Sequence, residues 1–518
     1  NEKITNEYKV SSNYARQLIS RAVKAEILKT SKPFTFDKGQ FFYIHPDKQV
    51  DLDTILHISK KYRKSLFRFL VLLNKNGGVI SYYEALKITA NPVENEENYR
   101  FSSLKNDLKR LKDSDFIMYD KDKQTGELYI IKKNLEGSSQ NLVTEHKEKT
   151  KNDSMLIIDL LRWLRNIGLI TGKPIYRNKD NPSLGAKFND FLFDAYAFSN
   201  TTGFELNSSE KRHEDVIVVM DILIHRDYES IDLASFYERV QFIRHSVRKD
   251  SSPRKVIPLI FYIDIQDSVK YEINNLNILN FPIENILGKE IKKVIENMQS
   301  LRSLLKHSFQ LTDEDSIKII NLIQENLGKM DKNGTSDNLT NLKGDMFEAL
   351  LFTVFKNMYP HDQIEHSVRI KNKEEPQKQP YEYDIIILKK NEIIVVELKG
   401  LKNTSIINLG TREEKATVSW FFGKTYPIAK KHYQSRLFSK NQIKGCYITS
   451  ANFSDEATEK LKEYNQTRIK PTTLDCYYDR KKLLELLKSH PNLEHLKEST
   501  NFLETLKKYY LTEDKKAK

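Results

Sequence analysis

The chain has 518 residues and a net charge of +13, from 84 Lys and Arg against 71 Asp and Glu. That length is enough for three or four domains. Two cysteines, Cys446 and Cys476, exclude a disulfide framework and a cysteine-based zinc site. No apolar run reaches membrane-spanning length, so no membrane association is expected, and the first residues lack a signal-peptide pattern. The positive balance points to a polyanionic partner, an inference of low specificity by itself. A start at Asn1 points to a trimmed or tag-derived terminus, and richness in Lys, Asn and Ile suits an AT-rich bacterial genome. The expected location is therefore the bacterial cytoplasm.

Residues 4–10 read as a short helix, Ser11-Ser12-Asn13 as a capped turn, and residues 13–28 as a second helix. Ala15, Leu18, Ile19, Ala22 and Ile27 share one face of it; Arg16, Gln17, Arg21 and Lys24 share the other. Residues 34–44 read as a hairpin turning at 37–39. This order resembles a winged helix-turn-helix and is similar to the amino-terminal domains of AbiEi-type bacterial regulators. The resemblance implies that Asn13, Arg16, Gln17 and Arg21 face a major groove, with Lys24 on the same basic face and Lys38 at phosphate. A helical interaction module with a solvated basic face is the alternative. Residues 1–50 are assigned to this unit.

Residues 51–135 suggest a second unit of the same type. Helices at 63–75, 81–89 and 101–114 precede a hairpin built from 116–119 and 127–132, and Lys105 and Lys109 lie on the candidate recognition helix. Residues 134–153 are polar and read as a linker.

The middle region, 154–311, reads as an α/β domain. It has a helix at 155–165, one strand at 188–198, another at 215–223, a helix at 233–247, a strand at 256–265, and a last edge from 278–281 and 286–287. The order repeats that of the C-terminal domain: Asp194 falls where Asp384 falls and Asp221 where Glu397 falls, but Leu223 stands in place of the lysine, Lys399. The domain is either a degenerate copy of the C-terminal domain or an unrelated α/β unit. Without a base or cation beside them, the two acids are not expected to be catalytic. A helix at 289–306 and a polar run at 328–341 lead to the last domain, 312–518.

That domain carries the most informative stretch, Tyr381 to Lys399. Two apolar segments, 385–388 and 393–396, flank Lys389-Lys390-Asn391-Glu392 as the strands of a hairpin. Asp384 enters the first strand, and Glu397 and Lys399 leave the second on a common face. Two carboxylates converging at a buried sheet edge cost desolvation energy unless a cation compensates. Other acid-x-Lys triplets, at Asp107, Glu145, Glu290 and Glu413, lack the apolar strand and the paired aspartate. Upstream, Phe347, Leu350, Leu351, Val354 and Phe355 mark an amphipathic helix. Downstream lie a helix at 418–437, a strand at 443–449, a helix at 455–464 and a strand at 473–478.

Asp384, twelve residues, then Glu397-Leu398-Lys399 resembles the PD-(D/E)XK superfamily, the fold of many restriction endonucleases, although the proline usual before the aspartate is absent. The resemblance implies an αβββαβ fold and Mg²⁺-dependent hydrolysis of DNA, with Mn²⁺ as a substitute. Asp384, Glu397 and the Leu398 carbonyl are then metal ligands, Glu348 on the upstream helix completes the acidic set, and Lys399 acts on the water or the phosphate. A plain Glu397–Lys399 ion pair and a solvated Glu348 are the alternatives.

The expected fold class is multidomain α+β and α/β: tandem winged helices, a middle α/β domain and a C-terminal restriction-endonuclease-like domain. The architecture resembles Mrr-like modular restriction enzymes. That implies an anti-phage endonuclease on double-stranded DNA, working as a homodimer or with a protein partner of a defence system. A partner-activated subunit of a defence or transposition complex and a non-catalytic DNA-binding regulator are the other readings.

Overall fold

The computed structural model describes residues 2–36, 39–93, 104–122, 125–178, 185–199, 216–247, 255–306, 311–332, 334, 339–375, 380–401, 404–434 and 442–511. Lys38 and Asp215 lie outside the described residues. The protein is a mixed α/β chain of two compact units, Asn1–Thr150 with Ile170–Ile260 and Asp264–Asn280, and Lys151–Leu169 with Phe261–Ile263 and Phe281–Lys518. Among the described residues no helix is long and apolar enough to cross a membrane.

The first unit opens with α1 (Glu2–Tyr8) and α2 (Ser12–Lys24). The Ser11 hydroxyl caps α2 by accepting the Tyr14 N–H. Ala15 and Ile19 are buried, whereas Asn13, Arg16, Gln17, Arg21 and Lys24 are exposed. The hairpin after α2 departs from expectation. Its paired strands are β1 (Lys29–Thr30) and β2 (Tyr43–Ile44) rather than 34–36. Pro33 has no N–H for a ladder, and Phe34 and Phe36 turn into the core.

Next come α3 (Leu52–Tyr62), α4 (Lys64–Lys75), β3 (Val79–Ser81), α5 (Tyr82–Thr89), α6 (Leu104–Asp113), β4 (Ile117–Lys121) and β5 (Leu128–Lys132). The strands make one antiparallel sheet in the order β3-β5-β4. Leu66, Phe69, Leu73, Leu86, Leu108 and Leu111 of the helices share its core. α5 starts at a capping box in which Ser81 and Glu84 satisfy each other's backbone N–H. The stretch read as a linker is largely helix α7 (Ser139–Met155). Its polarity misleads because its contacts are polar: His146 Nε2 lies 2.6 Å from Glu84 Oε2, and Lys147 Nζ donates to Asp122 Oδ2 at 2.8 Å.

After α8 (Ile157–Asn166), which belongs to the second unit, come β6 (Ile175–Tyr176), β7 (Ala186–Phe188), β8 (Phe191–Phe193) and β9 (Ala195–Ser199). Three strands thus replace the single one read at 188–198. Asn189 and Asp190, at φ 44° and 66°, form the turn between β7 and β8, a conformation these side chains tolerate better than most. β10 (Val216–Leu223), α9 (Ser230–Val247), β11 (Val256–Tyr262), α10 (Asp267–Asn275) and β12 (Leu279–Pro282) come next, and the sheet runs β12-β11-β10-β9-β6. The suggested edge at 286–287 is helical, within α11 (Ile283–Leu287).

In the second unit α12 (Ile291–Lys306), α13 (Asp313–Lys332) and α14 (Thr340–Met358) pack in succession, with Asn297 donating to Asn326 at 2.9 Å in their buried layer. The polar run at 328–341 is no simple link, because α13 continues through Gly328. Then come β13 (Gln363–Ile370), β14 (Tyr381–Leu388), β15 (Ile393–Lys399), β16 (Ile406–Ile407), α15 (Val418–Trp420), a wide helical turn at 421–425 and α16 (Tyr426–Tyr433). β17 (Ile443–Thr449), β18 (Asn452–Phe453), α17 (Asp455–Asn465), β19 (Tyr477–Tyr478) and α18 (Arg480–Ser489) complete the pattern. The sheet order is β13-β14-β15-β17-β19, antiparallel through β15 and parallel beyond it. The αβββαβ reading leaves its first strand unplaced in the sequence. The structure has β13 there, an edge strand whose half-exposed Glu365, His366 and Arg369 blur any apolar run. Tyr383, Ile386, Ile393 and Val395 pack under Val418, Phe421, Phe422, Tyr426 and Ala429.

Candidate active site

The β14–β15 ladder pairs Leu388 with Ile393 through to Ile385 with Val396, and stops. One step further Asp384 and Glu397 face each other where the strands part. Asp384 fills the opening: its Oδ2 accepts the Leu398 N–H at 2.6 Å. On its other side the β13 ladder skips the Ser367–Asp384 position, and Ser367 has φ 52°. Backbone regularity is thus given up on both sides of Asp384, which frees its carboxylate from the sheet.

Lys399 Nζ lies 2.8 Å from Glu397 Oε1, 2.8 Å from the Leu398 carbonyl oxygen and 3.6 Å from Asp384 Oδ2. The three oxygens read as metal ligands therefore converge on one positive charge. Asp384 and Glu397 are buried and the Lys399 side chain is 22% exposed. Burial works against the ammonium, yet Asp384, Glu397, Tyr447 and Glu348 together hold its pKa well above the ordinary lysine value. Lys399 is a fixed cation at neutral pH.

Glu348 reaches this group through a close helix–strand approach. A Cβ on Gly400 would stand 2.6 Å from Phe347 Cβ, so glycine is what lets α14 lie against the end of β15. Phe347 is braced by the Tyr510 ring at 5.1 Å, and the Tyr510 hydroxyl donates to the Lys343 carbonyl at 2.8 Å. Glu348 itself is half-buried.

Sequence reasoning missed the supports. Tyr447 stands beside Glu397 in the β15–β17 register. The Thr449 hydroxyl donates to the Lys399 carbonyl at 3.0 Å, and the Leu401 N–H donates to the Ser450 hydroxyl at 2.8 Å. These bonds pin the end of β15 so that Glu397 and Lys399 keep their positions. A run of Ser and Thr after an apolar strand is too common for spacing alone to single it out.

The competing acid-x-Lys triplets dissolve into other contacts. Asp107 pairs with Arg63, Lys147 with Asp122, Glu290 with Lys329 and Glu413 with Lys424. Asn13, Arg16, Gln17, Arg21 and Lys24 form one exposed group on α2, and Lys105 and Lys109 another on α6. The middle domain departs furthest from the sequence reading. Lys87 Nζ, from more than a hundred residues upstream of Asp194, lies 2.5 Å from Asp194 Oδ2 and 2.8 Å from Asp221 Oδ1.

Among the described residues no three His, Cys, Asp or Glu side chains form a metal cluster. Two carboxylates and a backbone carbonyl fit a hard cation that keeps several waters better than one caged wholly by side chains. No curated protein sequence matches the chain. Residues 343–453, which contain Glu348, Asp384, Glu397, Leu398 and Lys399, match the family model of the nuclease-related domain (NERD), a family with the PD-(D/E)XK-like nuclease fold.

Proposed function

We propose that this protein is a metal-dependent DNA endonuclease whose active site is Asp384, Glu397, Lys399 and Glu348. The observation that carries it is the convergence of Asp384 Oδ2, Glu397 Oε1 and the Leu398 carbonyl on a single cation position at a parted strand pair. Asp384, Glu397 and Glu348 all bear on Lys399, and a group of acids gathered in this way suits a divalent cation. Mg²⁺, or Mn²⁺ in its place, would be held by Asp384, Glu397 and the Leu398 carbonyl and would supply Lewis acidity and an activated water. Asp384 is oriented by the Leu398 N–H. Lys399 serves as an electrostatic partner for a phosphate oxygen. Glu348 orients water at the edge of the acid pair.

To the N-terminal region we assign the reading of DNA. Its support is the order helix, strand, two helices and two strands from α4 to β5, the order of a winged helix, and the exposed basic side of α2. Restriction of foreign DNA is the role we assign, with a dimer on DNA supplying the second active site. The test is cleavage of supercoiled plasmid in Mg²⁺ by wild type, Asp384→Ala and Lys399→Ala. Both variants are expected to lose about 100-fold or more in rate. Equal cutting by all three, or no cutting by any with DNA binding intact, overturns the assignment.

A further inference from the structure

The acid pair of the middle domain repeats the geometry of the proposed active site in its backbone and reverses it in its charge. The β9–β10 ladder runs from Ser199 with Val216 to Ala195 with Met220 and stops. One step further stand Asp194 and Asp221. Asp194 Oδ2 accepts the Ile222 N–H at 2.8 Å, as Asp384 Oδ2 accepts that of Leu398. The ladder ends at the same point, the aspartate occupies the same opening, and the bond comes from the residue after the second acid.

The cation comes from elsewhere in the chain. Lys87 on α5 bridges Asp194 and Asp221 at 2.5 and 2.8 Å, in the position that Lys399 holds between its own acids. Two arginines join it: Arg239 lies 3.2 Å from Asp221, and Arg177 lies 3.6 Å from Asp194. The Tyr83 hydroxyl donates to Asp194 Oδ1 at 2.9 Å and the Tyr228 hydroxyl to Asp221 Oδ2 at 3.2 Å. Three cations thus surround two carboxylates, and Asp194 is wholly buried. A divalent ion entering this centre would have to compete with Lys87, Arg239 and Arg177 for the two carboxylates. Burial opposes ionisation of Asp221, yet Lys87 and Arg239 hold its pKa down at about 2.

We infer that Asp194 and Asp221 form a nuclease-like acid pair whose carboxylates are held from within the chain by Lys87, Arg239 and Arg177 together, so that the centre excludes divalent metal and latches α5 to the middle sheet. The latch has a second contact built for it. Tyr83, one turn before Lys87, lies against Gly185, where a Cβ would stand 2.5 Å from its ring, and Arg177 stacks over that ring at 4.4 Å. Lys87 and Tyr83 thus both tie α5 to the sheet. The latch is independent of the C-terminal site and keeps its role whether or not that site cuts DNA.

The test uses the full-length chain. Lys87→Met keeps bulk and removes charge, leaving buried carboxylates short of a partner. It should lower the first thermal transition by about 5 °C or more. Adding Asp194→Asn, which removes the charge that Lys87 serves, should recover part of that loss. If Lys87→Met yields no soluble protein, recovery of soluble protein in the double variant supports the latch, and absence of recovery overturns it. Mn²⁺ bound per chain, read by electron paramagnetic resonance, should be the same in wild type and Asp194→Asn. An unshifted transition in Lys87→Met, or fewer Mn²⁺ ions bound in Asp194→Asn, overturns the inference; the second result would make the centre a metal site.

Discussion

The two acid pairs differ in where their positive charge comes from and in how much of it there is. At Asp384 and Glu397 the lysine lies in the same strand and bridges both acids, and Glu348 adds a third negative charge nearby. At Asp194 and Asp221 the lysine comes from a helix more than a hundred residues upstream, with two arginines beside it. The same backbone device, an aspartate accepting an N–H where two strands part, therefore leads to opposite chemistry. An undercompensated pair can take a metal ion; a fully compensated one is a structural tie. A carboxylate pair at a strand fork identifies a site only once the nearby cations are counted.

The largest effect that would break this comparison is on stability. Asp194→Ala removes one of the two carboxylates that balance Lys87, Arg239 and Arg177 and should destabilise the protein by about 3–5 kcal/mol. Asp384→Ala relieves repulsion among the crowded carboxylates but leaves the Leu398 N–H without its acceptor, and should therefore destabilise the protein less than Asp194→Ala. Differential scanning of the two variants in the absence of divalent metal decides it. Equal destabilisation would mean that both pairs are structural, and the charge distinction would fail.

Much of the C-terminal site was legible in the sequence because its parts are local. Asp384, Glu397 and Lys399 lie within one hairpin, whose apolar runs set the register and so the side chains that meet. The strand Ile443–Thr449 was legible for the same reason, being buried along its length. Glu348 could be named only by resemblance; what brings it close is Gly400, whose role depends on a neighbouring helix. The Lys87 bridge was not legible at all, since no periodicity connects a helix at 82–89 to a strand at 195–199. The misplaced linker at 134–153 has a related cause. His146 and Lys147 look solvated in sequence but find Glu84 and Asp122 in space, so hydropathy counts them as loop residues.

Asp159 on α8 offers an intermediate case that sharpens the comparison. It is wholly buried, but its nearby cation is one partly exposed arginine, Arg162, at 2.9 Å. Burial therefore wins, and despite Arg162 and the Asn341 N–H its pKa is pushed up to about 7, with Asp345 adding to the rise. An acid raised in the folded state binds more protons there than when unfolded. Stability is then greatest below the unfolded value near 4 and is lost as pH climbs to about 7. Asp159→Asn should remove this dependence, gaining roughly 2–3 kcal/mol on wild type between pH 5 and pH 8 in urea unfolding. Parallel curves for the two proteins would show that Arg162 compensates Asp159 as fully as Lys87 compensates Asp194.

The smallest expected effect concerns charge that is not buried at all. Arg16 and Arg21 on α2 are exposed to water, so neither contributes much to folding, and in the proposed function their role is contact with DNA phosphate or base edges. Replacing both with alanine should leave the thermal transition in place while weakening DNA binding. If each neutralises one phosphate, the slope of log affinity against log salt should fall by about 2. A slope unchanged from wild type would remove this side of α2 from the DNA interface and leave the basic balance of the chain to be explained by other surfaces. Exposed cations would then share with Lys87 the lesson of the buried centres, that a positive charge has a function only through the particular group it faces.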